Sequence, residues 1–253
     1  MIDQSLENGN SPIHKLDPKI RIISAFFLSF AAALCDHAGV ALGYLGLSLL
    51  LIRLAQLSPG QVLQRLKPLF WFLIMIWIFL PLTFTDDILF EYGWFKISYE
   101  GVVLSFRITL KAVSILLIFS ALIVTMPIAS LGAGLHQLRA PDKLVFLLLM
   151  TYRYIAVIQE EYQRLLRAAR FRGFTPGTNL HSYRTFAYLA GMLFVRASHR
   201  AKRVYQAMLC RGFNQKFHTL DAYAPNGLNS VFLCIMLTAG TTLLLIEKLW
   251  ISS

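Results

Sequence analysis

Five apolar stretches, residues 22–35, a second run beginning at Ala38, 69–84, 101–126 and 231–246, constrain this chain more than any other feature. Stretches of this kind lie in a bilayer, where a backbone must satisfy its own hydrogen bonds and does so as a helix. The composition agrees: 57% of the 253 residues are hydrophobic and 15% charged, against about a quarter charged in a soluble domain. The first run follows basic residues and carries Ala31-Ala32-Ala33 near its end, as a signal peptide would. The second run starts almost at once, however, so the two read as a hairpin of spanning helices. Both are shorter than the roughly 20 residues a bilayer requires, and Lys19, Arg21 and Arg53 are expected to snorkel to the interface.

The net charge of +11 has a location. Of the 24 Lys and Arg residues, 3 precede the first run, 3 lie between the second and third, 14 fall in residues 129–225 and 4 lie elsewhere. The positive-inside rule puts the first three regions in the cytoplasm. The N-terminus is then cytoplasmic and five spans leave the C-terminus outside; six or seven spans follow if 144–158 or 186–195 also cross. So basic a surface suits anionic lipid headgroups or an acidic protein. Nucleic acid is not an expected partner, because the aromatic interleaving that single strands need is weak.

The expected fold is an all-α integral membrane protein. It has about five transmembrane helices plus a cytoplasmic module of long amphipathic helices. Residues 1–21 form a cytoplasmic lead, 22–128 hold helices one to four, 129–229 form the cytoplasmic or interfacial module, and 230–253 hold the last span. In the lead, Asp17 caps a helix with Pro18 at its first position. Leu57-Ser58-Pro59-Gly60-Gln61 imitates an ATPase signature, but the chain has no phosphate loop to accompany it. It reads better as a capped start to a short helix ahead of the third span. Residues 85–100 read as an acidic, turn-like outer loop. Arg107 and Lys111 share one face of the fourth span: a charge relay is one reading, and snorkelling or pairing with Glu100 is the plainer one.

The module carries the most specific pattern. One amphipathic helix sets Ile155, Ile158, Tyr162 and Leu165 against Arg153, Glu160, Arg164 and Arg167; a second, from about Ser182, sets Phe186, Leu189 and Leu193 against Arg196, Arg200 and Arg203. Each ends in the same phrase, Ala168-Ala169-Arg170-Phe171-Arg172-Gly173-Phe174 and Ala207-Met208-Leu209-Cys210-Arg211-Gly212-Phe213. The two match at Ala168 and Ala207, Arg172 and Arg211, Gly173 and Gly212, and Phe174 and Phe213. A single Arg-Gly pair is a helix stop, the cation against the negative helix end and glycine left-handed beyond it. A matched pair points to a matched pair of receptors.

No catalytic or cofactor chemistry accompanies these surfaces. The six histidines never fall at metal-ligand spacing, the three cysteines read as reduced apolar residues, and no nucleophile elbow, phosphate loop or zinc signature occurs. No metal, no cofactor and no enzymatic activity are expected.

The paired phrases, Ser11-Pro12-Ile13-His14-Lys15-Leu16-Asp17-Pro18-Lys19, and Thr151-Tyr152-Arg153-Tyr154 together resemble the T component of energy-coupling factor transporters. Asn179-Leu180-His181-Ser182-Tyr183-Arg184-Thr185 and the run from Arg203 to Phe213 are similar to its CbiQ branch, associated with cobalt and sometimes nickel. The resemblance implies a multi-pass scaffold in a prokaryotic cytoplasmic membrane, joining a substrate-binding membrane subunit to two ATP-binding-cassette ATPases. The family's Ala-Arg-Gly signature falls on Phe171-Arg172-Gly173 and Cys210-Arg211-Gly212, with the alanine replaced in both. By that resemblance Arg172, Gly173, Arg211 and Gly212, with Ala168 and Ala207, form the ATPase-coupling ends. The rivals are the same scaffold serving nickel or a vitamin, and an integral membrane enzyme acting on lipid headgroups.

Overall fold

The computed structural model describes residue 13 and residues 16–83, 88–92, 95–214 and 227–251. The chain forms two compact units, one of Met1–Gly134 with Ala222–Ser253, the other Leu135–Asp221.

The first unit begins with α1 (Pro18–Leu34), whose N-cap Asp17 accepts from the Lys19 N–H at 3.1 Å, with Pro18 at the first position as its fixed φ favours. A three-residue link leads to α2 (Ala38–Leu54). α3 (Pro59–Thr83) is one continuous helix of 25 residues. The short capped helix and the third span, expected as separate pieces, are therefore fused: Ser58 does open the helix, its carbonyl taking the Gln61 and Val62 N–H groups, but Pro68 is carried inside rather than breaking it. In place of a turn-like loop, β1 (Ile88–Tyr92) and β2 (Phe95–Ser98) pair antiparallel. The aromatic and β-branched residues Phe90, Tyr92, Phe95 and Ile97 supply the β propensity that the acids at Asp86 and Asp87 drew attention from. α4 (Tyr99–Phe119) continues through a π-helical turn at Ser120–Val124. α5 (Ile128–Gln137) was not expected. α8 (Gly227–Ile251) closes the chain.

Apart from that strand pair the regular structure among the described residues is helical, and the fold is that of an all-α membrane protein. Pro59–Thr83, Tyr99–Val124 and Asn229–Leu249 are long and apolar enough to cross a bilayer; α2 is apolar but 17 residues long, as is α1. The core between them holds Leu28, Ala31, Tyr44, Leu51, Ile118 and Leu122. Large apolar side chains face outward, Trp71 at 81% exposure and Phe26 at 75%, a surface that suits lipid and not water. Polar groups inside find partners: Tyr44 donates its hydroxyl to the Gly240 carbonyl at 3.0 Å, joining α2 to α8.

Arg21 corrects the snorkelling expectation. It is 2% exposed, and its guanidinium donates to the Leu122 carbonyl at 2.9 Å and to the Thr125 hydroxyl. The π-helical turn supplies the reason, since its widened ladder frees carbonyls near its end for an outside donor. α1 is thereby bolted to the end of α4. Lys111 also has a partner, though not Glu100: its ammonium lies 3.1 Å from the Asp36 carboxylate and 3.3 Å from the Ala33 carbonyl, tying α4 to the α1–α2 link. On the other side of that link, the buried Glu247 carboxylate of α8 accepts from the Asp36 and His37 N–H groups at the start of α2. The Arg107 Nε is buried without a hydrogen-bond partner among the described residues.

The second unit is built on α6 (Asp142–Phe171) and α7 (Leu180–Cys210), 30 and 31 residues long. Asn179 caps α7, its side chain accepting from the Ser182 N–H at 2.8 Å, and the Gly177 N–H donates to the Ser182 hydroxyl oxygen at 3.0 Å. That pair of bonds fixes the turn through which the chain reverses.

Candidate functional site

The two Arg-Gly phrases adopt one geometry. After α6, the N–H of Gly173 bonds the Arg170 carbonyl at 3.0 Å and that of Phe174 the Ala169 carbonyl at 3.1 Å; after α7, Gly212 bonds Leu209 and Phe213 bonds Met208, both at 3.0 Å. Each is a Schellman cap, the orphan carbonyls of the last turn being taken by the two residues past the helix. Arg172 and Arg211 are the cap residues, with φ of −89° and −92°; Gly173 and Gly212 follow at φ of +81° and +77°. Those positive angles strain any side chain but favour glycine, and open space surrounds both glycines. The glycines are therefore required by the turn and not by crowding.

The phenylalanine that ends each phrase has a role that the sequence did not disclose. Phe174, 8% exposed, packs edge-on against Phe186 of α7 with ring centroids 5.5 Å apart. Phe213 packs against Phe146 of α6 at 5.3 Å. Each helix end is thus pinned by its own phenylalanine to the early part of the other helix. Phe186 was legible as an apolar-face residue and Phe146 as part of an apolar run; nothing in their spacing announced that they receive the two ends.

What remains outside each cap is a bare cation. Arg172, Gly173, Arg211 and Gly212 are exposed, as are Ala168 and Ala207 one turn back. Among the described residues no acid pairs with Arg172 or Arg211. The mid-helix arginines differ: Glu161, only 13% exposed, holds Arg196 by a direct hydrogen bond, with Arg200 at 3.8 Å and Arg164 at 3.9 Å. The Arg196 hydrogen bond, aided by the charges of Arg164 and Arg200, holds the Glu161 carboxyl below its ordinary range. Glu161 draws in Arg164, Arg196 and Arg200; at the two ends the described residues supply no such acid. Because the α6–α7 turn carries Arg172 and the far end of α7 carries Arg211, the 31 residues of α7 set them roughly 45 Å apart.

Among the described residues no group of three or more His, Cys, Asp or Glu side chains is placed to hold a metal ion. Between α6 and α7 lies a cleft of about 480 Å³, lined by apolar side chains with Glu161, Arg196 and Arg200 at its edge.

Comparison with known proteins identifies the family. The family model CbiQ, described as cobalt transport protein, matches residues 9–220. The energy-coupling factor transporter transmembrane protein EcfT of Brevibacillus brevis is 27% identical over 217 residues, covering 81% of this chain and 82% of that protein. EcfT of Bacillus subtilis is likewise 27% identical with the same coverage, and EcfT of Leuconostoc gelidum is 28% identical, covering 81% of each. The family match takes in α1 to α7 and both Arg-Gly ends, and on that ground the chain belongs to the CbiQ family of cobalt transport proteins.

Proposed function

We propose that this chain is the membrane scaffold of an ATP-driven importer of the energy-coupling factor type. It transmits ATP hydrolysis by two ATP-binding-cassette ATPases to a membrane subunit that binds the substrate, a transition-metal ion and most simply cobalt. It is itself non-catalytic and sits in the cytoplasmic membrane of a prokaryote with its N-terminus inside. The EcfT name of its relatives supports the scaffold role, and the cobalt description of the family model supports the metal.

The observation that carries the coupling role is the pair of bare arginines in matched caps. Arg172 and Arg211 each enter a groove on one ATPase and meet acids there, while Ala168 and Ala207 keep the flank of each end slim. Two ends of one geometry suit two copies of one ATPase. When the ATPases close on ATP the ends are drawn along, and the phenylalanine pins pass the movement into α6 and α7 as one piece. The experiment is affinity purification from native membrane in mild detergent, with mass spectrometry of what is retained. Recovery of ATP-binding-cassette ATPases and a second small membrane protein supports the reading. Recovery of the chain alone under gentle extraction removes it.

A further inference from the structure

We propose that Arg21 is a positioning residue for coupling: it ties the corner between α4 and α5 to the first turn of α1, so that displacement arriving along α5 moves the spans instead of bending the corner. That corner lacks a donor of its own. In a π-helical turn the carbonyl of residue i is met by the N–H of residue i+5. For Leu122 that residue is Pro127, which has no N–H. Met126, the next in reach, gives its N–H to the Ile123 carbonyl at 3.0 Å, and the Ala121 carbonyl is met by the Thr125 hydroxyl at 2.8 Å. The Leu122 carbonyl is left to Arg21, whose Nε donates to it at 2.9 Å, while Nη2 donates to the Thr125 hydroxyl oxygen. Arg21, Leu122 and Thr125 are all buried, so water does not take over the task, and an unmet carbonyl there bears its full desolvation penalty. Arg21 supplies from α1 the bond that Pro127 withholds from α4.

The same turn of α1 receives the other leg of the corner. Pro18 lies three residues before Arg21 on one face of the helix, and α5 is pressed against it: a methyl group on Gly134 would come within 2.9 Å of the Pro18 Cβ and 3.1 Å of its carbonyl carbon. α1 therefore grips α4 through Arg21 and α5 through Pro18. The start of α8 reaches this turn as well, the Asp17 N–H lying 3.5 Å from the Asn229 carboxamide oxygen. In the chain α5 precedes α6 and α8 follows α7. Both elements that join the Arg-Gly helices to the spans are thus seated on one turn of α1. The role assigned to Arg21 rests on the scaffold reading above.

The test uses the full-length chain with its co-purifying ATPases and membrane subunit in proteoliposomes, reading cobalt(II) uptake per ATP hydrolysed. Hydrogen exchange of residues 119–134 is followed beside it, in the chain alone in nanodiscs. Arg21→Met removes both donors and keeps an apolar stem of similar shape. It should speed exchange at 121–126 by about 10- to 100-fold, the loss of a hydrogen bond from a charged donor. Uptake per ATP should fall about tenfold with the ATPases still retained. Arg21→Gln, which keeps a donor where Nε stood, should preserve most of the uptake. Adding Pro127→Ala to Arg21→Met offers Leu122 an N–H from its own helix; exchange protection should return and uptake should not, because the tie to α1 is still broken. Recovery of both would make Arg21 a structural residue only and overturn the proposal. Unchanged exchange in Arg21→Met overturns the junction itself, and uptake per ATP within about twofold of wild type overturns its part in coupling. A wild-type chain that retains no ATPase removes the scaffold reading and this role with it; that failure shows in the wild type, whereas failure of the junction shows only in the variants.

Discussion

Replacing Arg211 with alanine isolates the coupling proposal from the fold. The side chain is exposed and meets no acid among the described residues, so its removal breaks no ion pair there and forfeits only the small attraction to the negative helix end, about 0.3 to 1 kcal/mol. The Schellman bonds of the cap run through backbone atoms of Arg211, Gly212 and Phe213 and survive the change. Most of the effect should therefore fall on the partner. Truncating one member of a charge pair buried at an interface costs roughly 2 to 5 kcal/mol, much of it from the acid left unpaired. At about 1.4 kcal/mol per decade this weakens one ATPase contact by about 30-fold to several thousand-fold. The assay is equilibrium binding of purified ATPase to nanodisc-held chain by fluorescence anisotropy, beside metal uptake in cells and helix content by circular dichroism. Arg172→Ala should behave alike, and the double variant should abolish association because neither end is left to hold an ATPase while the other rebinds. Wild-type helix content with ATPase affinity within about twofold of wild type would refute the reasoning and leave the arginines as helix stops.

Three further outcomes follow from the same geometry. Gly212→Ala forces a side chain into a left-handed residue at about 1 to 2 kcal/mol; it should weaken ATPase binding without touching any charge, and Gly212→Asn should be milder than Gly212→Val because asparagine tolerates that region. The Glu161 carboxyl has a lowered pKa, so its hold on α6 and α7 is fully present above its unfolded value near 4.5 and is lost as pH falls through the lower folded value. Spin labels on the two helices should then separate in acid, and Glu161→Gln should show the same separation at neutral pH. Asp36→Lys or Lys111→Asp should each lower the melting temperature slightly, the pair being partly exposed and worth about 0.2 to 1 kcal/mol, and the double swap should restore it; failure of the swap would remove the α4 tether.

The long apolar helices α3, α4 and α8 were legible because an apolar run of that length favours a helix in lipid, and the Arg-Gly ends because cap chemistry is local: Gly173 and Gly212 take the left-handed angles a helix stop demands. Contacts between residues far apart in sequence were not legible. Arg21 read as a cation beside a membrane edge, since its acceptors, Leu122 and Thr125, lie about a hundred residues away and depend on a π-helical turn that no motif advertises. Lys111 invited pairing with Glu100, eleven residues upstream, whereas tertiary packing brought it Asp36 from the α1–α2 link. Glu161 carried no signal of its own because Arg196 and Arg200 arrive from another helix. The pairing of β1 with β2 was obscured by the acids that precede it in sequence, although the residues of both strands favour that conformation.

The unbroken run of α7 has a geometric consequence. Its first turns hold one Arg-Gly end through Phe186 and its last residue leads into the other, so residue count fixes both the spacing and the relative angle of the two cations. Each added residue lengthens that span by about 1.5 Å and turns one end by about 100°. Seven added residues would separate the ends by about 10 Å more with only about 20° of misalignment, whereas two would change length little and throw one cation to the opposite side. α7 is a gauge rod with an angular as well as a linear scale, and insertions along it should be tolerated by phase before they are tolerated by length.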